Sequence, residues 1–125
     1  MKSREGLMRL KRFQVEEKRR QVAQIETMIA EFDRMAKELN DQVLAEQERS
    51  GIHDAGHFAY PTFAKAATQR RDNLAASERA LKDQLAAAKV ACEEAEAELA
   101  KAEAIAERDQ AHEKHTAHRS APAHA

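Results

Sequence analysis

Met8, Val15, Val22, Ile29, Ala36 and Val43 recur every seven residues, and Ile25, Phe32 and Leu39 follow three residues after Val22, Ile29 and Ala36. An apolar stripe of this period marks a long helix that needs a partner helix to cover it. The chain supplies one downstream, where Leu74, Leu81, Ala88, Ala95 and Ala102 repeat by seven, interleaved with Leu85, Cys92, Leu99 and Ala106. Between the stripes lies Ser50-Gly51-Ile52-His53-Asp54-Ala55-Gly56-His57-Phe58-Ala59-Tyr60-Pro61. Its glycines favour positive φ, Asp54 favours a turn, and Pro61 steers Tyr60 away from the helical region while suiting the start of a new helix. The pattern predicts an all-α fold, a long antiparallel two-helix coiled-coil hairpin forming one domain over residues 1–111. Helix one is expected over about 4–49, the turn over about 50–61 and helix two over about 62–110.

Ser3 reads as the cap of the first helix, with Glu5 near its positive end. Lys11 and Lys18 occupy stripe positions, so the N-terminal end is expected to be looser or to pack on something else. After Gln110 the apolar period is lost and Pro122 appears, so residues 112–125 are expected to form a disordered C-terminal tail.

Composition sharpens the fold class. Four Phe, one Tyr and no Trp in 125 residues cannot build a thick core, and the alanine-rich remainder suits a thin helix–helix interface. Three glycines and two prolines leave little material for sheets. The lone cysteine, Cys92, falls on a stripe position and reads as a small packing residue, which excludes a disulfide framework. No apolar run reaches the ~20 residues a bilayer requires. The expected location is cytoplasmic, with no direct bilayer insertion.

Charge is balanced overall but uneven along the chain. Residues 1–20 carry eight Lys or Arg against three acids, and residues 93–109 carry seven acids against two bases. With a turn near residue 55, antiparallel pairing sets residue i beside about 110 minus i, so these stretches lie alongside each other. Exposed pairs contribute only ~0–1 kcal/mol each and select orientation more than they stabilise.

Candidate chemistry is sparse. No nucleophile stands in a recognisable setting and no glycine-rich loop cradles phosphate, so an enzyme is not expected and no cofactor is implied. His53 and His57 are four apart, and His112, His115 and His118 three apart. A metal site needs further fixed ligands that neither segment offers, so these histidines read as turn and tail residues. The basic group Arg4, Arg9, Lys11, Arg12, Lys18, Arg19 and Arg20 reads either as a solvated face with intrachain pairs or as a surface for an acidic partner. Glu5, Glu16 and Glu17 interrupt it and Phe13 is its only aromatic, which weighs against nucleic acid. Phe58, Tyr60 and Phe63 gather three of five aromatics at the turn. Either one staples the turn while the others form a contact patch, or all three fold over it.

Two segments carry a resemblance: Met-Lys-Ser-Arg-Glu-Gly-Leu-Met-Arg-Leu-Lys-Arg-Phe-Gln-Val-Glu-Glu-Lys-Arg-Arg at the start, and Ala55 to Leu74, Ala-Gly-His-Phe-Ala-Tyr-Pro-Thr-Phe-Ala-Lys-Ala-Ala-Thr-Gln-Arg-Arg-Asp-Asn-Leu. Over about residues 1–110 the chain resembles the flagellar export protein FliJ family, whose hairpin is similar to the stalk of the rotary ATPase gamma subunit. The resemblance implies a non-catalytic cytosolic component of the bacterial flagellar type III export apparatus, peripherally associated with the membrane through that apparatus. Its implied partners are the export ATPase ring, the cytosolic domain of the export gate membrane protein, and export chaperones. The basic residues would meet the ATPase. Tyr60 and Phe63 match the family's Tyr-x-x-Phe, Leu74 keeps an apolar position on the same face, and with Phe58 and Ala67 these would meet the gate. Ala67 replaces a larger apolar residue of many relatives, and their tyrosines near Gln42 to Glu46 are missing. The competing expectations are a self-associating coiled-coil scaffold and a basic nucleic-acid-binding helix pair.

Overall fold

A computed structural model describes residues 2–120 of the backbone, with side chains described over 3–117. The fold is an all-α helical hairpin of α1, Lys2–Ser50, and α2, Thr62–Ser120. Glu5 in the first turn and Arg49 in the last complement the dipole of α1. By contact the chain divides into two units, Met1–Gln21 with Ala88–Ala125, and Val22–Ala87.

The seam is where the heptads place it. Every stripe position named above is buried or half-buried. In the first unit the core residues are Met8, Val15 and Cys92, and in the second Val43, Ala64, Ala67 and Leu81. Val43, Ala64 and Ala67 form one cluster against which Leu39 and Tyr60 pack. Side-chain bonds across the hairpin report the register directly: Lys11 reaches Glu98 and Arg71 reaches Asn40 between the helices, and Gln47 reaches Tyr60 of the turn. These pairs sum to 109, 111 and 107, close to the expected 110.

Two local expectations change. Ser3 lies within α1 rather than capping it, because the helix already begins at Lys2. In the lysine-bearing part of the seam Val15 is 2% exposed and Met8 9%, and grooves lined by Met8 stay open on both flanks. Lys11 and Lys18 are only half-buried, and the Lys11 ammonium reaches Glu98. Finally, α2 continues past Gln110 to Ser120, so residues 112–120, expected in the tail, are helical, while 121–125 lie outside the described residues. Residues 110–117 are all exposed, so packing does not hold this stretch. Arg4 binding Glu113 at 2.8 Å ties it to α1, and no glycine or proline interrupts it before Pro122.

Two consecutive turns join the helices. Gly51, at φ 73°, ends α1 in the left-handed conformation and donates to the Gln47 carbonyl at 2.9 Å. Asp54 accepts from the Gly56 amide at 2.9 Å, and its carbonyl accepts from the His57 amide at 3.0 Å. The His57 carbonyl accepts from the Tyr60 amide, also at 3.0 Å, and the Pro61 carbonyl then takes the first bond of α2 from Lys65.

The tightest point of the seam is Ala64, 0% exposed. Ala64→Leu should cost about 1–3 kcal/mol through overpacking. Ala66→Leu, on the exposed face next door, should stay within ~0.5 kcal/mol. Urea unfolding followed by circular dichroism measures both.

Candidate partner-binding surfaces

The basic group lies in the first unit and divides into engaged and unengaged side chains. Arg4 binds Glu113, Lys11 binds Glu98 at 3.0 Å, Arg19 binds Glu96 at 3.5 Å, and Arg20 pairs with Glu17 one turn away. Acids of α2 therefore hold three of the seven cations by pairs between the helices, two of them, Glu96 and Glu98, from the acidic stretch 93–109 and the third, Glu113, from beyond it. Arg9, Arg12 and Lys18 make no ion pair among the described residues. Arg9 and Arg12 are exposed and share an open groove with Glu103 and Glu107. On the other flank Leu7 and Ile105 line a more apolar groove with Met8 and Ala102.

Electrostatics in this unit stay close to the surface. The hydrogen bond from Lys11, then its charge, holds the Glu98 carboxyl below the usual carboxylate range. The Cys92 thiol donates to Glu96 at 3.2 Å and is buried, and the bond and burial together push its pKa up. Cys92 is thus a packed thiol rather than a thiolate nucleophile.

In the second unit the three aromatics of the turn separate. Tyr60 folds inward, its hydroxyl accepting from Gln47 Nε2 at 3.0 Å, and serves as the staple. Phe58 is 97% exposed and stacks on His57 at 4.7 Å, and Phe63 is 53% exposed. Ala67 is withdrawn into the seam and is 3% exposed. Leu74 is half-buried and lines an open groove with Phe32, Met35 and Leu39. Of the residues expected to meet a gate, Phe58 and Phe63 present free apolar area, and Leu74 presents an edge.

Sequence reading missed several exposed apolar side chains off the seam, among them Leu7, Leu10, Met28, Met35 and Ile105. Their signal is available: each falls outside the stripes, where a helix with one neighbour cannot bury it. No group of His, Cys, Asp and Glu able to hold a metal occurs among the described residues. His57 Nδ1 already accepts from the Ala59 amide at 3.0 Å. The His118 side chain lies outside those described. No helix of the described residues is long and apolar enough to cross a membrane. No protein-family model matches the chain, and neither a curated protein nor a solved structure matches it significantly.

Because the folded pKa of Glu98 is lowered, its pairing stabilises the hairpin above the carboxyl's unfolded value and is lost as pH falls through the folded one. Lys11→Met removes the pair. Its melting temperature should fall less between neutral and acid pH than that of the wild type, as thermal melts across that range will show.

Proposed function

We propose that the chain is a non-catalytic, stalk-like coiled coil of the bacterial flagellar type III protein export apparatus. It binds the export ATPase ring through the basic part of α1 and the export gate through the turn, supporting export of flagellar proteins. In this reading it works in the cytoplasm, held near the membrane by the apparatus. The observation that carries the proposal is the kind of surface the fold leaves free. Arg9 and Arg12 lack intrachain ion partners among the described residues, and Phe58 and Phe63 stand uncovered at the turn. Both are docking chemistries, since aromatic and arginine side chains dominate binding energy at protein interfaces. The likeness of residues 1–20 and 55–74 to the FliJ family supplies the system in which such docking belongs. A stalk requires no substrate cavity, in keeping with grooves that are open along their length.

The proposal makes two measurable claims. ATP hydrolysis and ring assembly by the cognate flagellar export ATPase should rise when the chain is added at moderate salt; no effect and no binding from folded protein, with self-association instead, would shift the reading to a coiled-coil scaffold. Phe58→Ala with Phe63→Ala should leave the melting temperature within a degree or two of wild type, because neither ring is buried, yet impair swimming motility. Full motility in the double variant would rule out the turn as the gate contact.

A further inference from the structure

Beside the seam, the second unit carries two rows of side chains that the hairpin does not use. Gln24, Met28, Glu31, Met35, Glu38 and Gln42 succeed one another on α1 at steps of three and four, and all are exposed. Arg70, Asn73, Ser77, Ala80, Gln84 and Ala87 do the same on α2. The rows lie on one flank, because Met35, Glu38 and Gln42 line a single open groove with Arg70, Asn73 and Ser77. Only three of the twelve residues are charged, and Met28 and Met35 are 41% and 43% exposed. The opposite flank differs. There Glu26, Asp33, Glu78 and Lys82 border a groove, and Asp33 and Glu78 each pair with a lysine one turn on. One flank thus suits water, and the other suits a further layer of helices.

We infer that this flank is a self-association surface, on which a second copy of the chain packs to form an antiparallel four-helix bundle. The charges select that occupant. Both acids, Glu31 and Glu38, are on the α1 row and the one base, Arg70, is on the α2 row; none of the three has an ion partner among the described residues. Asn40 bonds Arg71 across the seam, so Glu38 and Arg70 stand near one level of the hairpin. A two-fold axis along the hairpin lays the α1 row of each copy on the α2 row of the other, and Glu38 of each meets Arg70 of the other. Glu31 then opposes the neutral stretch from Ser77 to Ala80. A two-fold axis across the hairpin instead sets the α1 rows on each other, gathering four acids and leaving both Arg70 side chains without one. The same two acids disfavour an anionic lipid surface. At 1.5 Å per residue the rows run ~27 Å and two helices side by side are ~20 Å wide, so the flank offers roughly 500 Å² per copy and about 1,000 Å² in the pair. That is the lower limit of a specific interface, so the bundle is weak and dissociates on dilution.

Analytical ultracentrifugation of the full chain alone, at physiological salt, tests this independently of any binding to the ATPase. The weight-average mass should rise with concentration from 14.0 kDa toward twice that value. Met28→Gln with Met35→Gln alters only exposed side chains and should weaken dimerisation about tenfold or more, with helix content and the melting temperature of the dilute protein unchanged. Ala30→Gln, on the opposite flank, should dimerise as wild type. Glu38→Arg and Arg70→Glu should each dimerise several-fold more weakly, because each sets like charges together at both symmetric contacts. An equimolar mixture of these two variants should recover wild-type affinity, since each contact then joins opposite charges, a recovery that loss of folding cannot produce. A mass that stays at 14.0 kDa up to about 1 mM overturns the inference in favour of a different occupant of the flank. Dimers unaffected by the methionine pair place the contact elsewhere and overturn it, as does a mixture that associates no better than its components.

Discussion

Each helix of this hairpin has one neighbour, so the stripe facing that neighbour supplies nearly all the burial the helix gains on folding. In the second unit the consequence is visible at Val43, Ala64 and Ala67, where a branched side chain from α1 packs against two alanines of α2. Alanine offers little area of its own. Its value is that the backbones can approach, so dispersion contacts gather along the seam rather than at a few large anchors. A seam of this kind has no spare width, and a larger side chain at its tightest point has nowhere to go.

The same constraint decides where the charges can be. Lys11 and Lys18 sit on the seam because a lysine stem can cover apolar surface while its head escapes to the edge. Arg71 does the same in the second unit, where its guanidinium binds Asn40 at 2.7 Å across the helices. Such bonds are exposed or only partly buried and add little to stability. They do fix direction and register, because a parallel arrangement or a shifted one would leave Lys11, Arg19 and Arg71 without the partners they have.

The seam was legible because a period of seven survives any exchange of one small apolar residue for another, and Cys92 or Ala95 serves it as well as leucine. The turn was legible from Gly51 and Pro61, whose backbone restrictions hold whatever surrounds them. The end of α2 was not. Loss of apolar period after Gln110 signals loss of packing, and the structure agrees that residues 110–117 are exposed, but helix propensity and the link from Arg4 to Glu113 carry the helix on to Ser120. The candidate surfaces were read in outline only. Sequence spacing names the seven basic side chains, yet which of them are neutralised depends on the reach of Glu96, Glu98 and Glu113 across the interface. The alternatives left open at the turn were separated by one hydrogen bond, from Gln47 to Tyr60, a partner thirteen residues away that no local rule selects.

Function in such a molecule has to be sought in what the seam does not use. A heptad seam explains its own apolar residues and, through register, many of its charges; it explains neither a glycine within an otherwise uninterrupted helix nor a phenylalanine with almost all its surface in water. Both are unfavourable for the isolated chain, the first through backbone entropy and the second through hydration of apolar area. Residues that work against the fold and lie on its open surface gain a physical rationale when another molecule covers them. Phe58 at the turn meets that criterion.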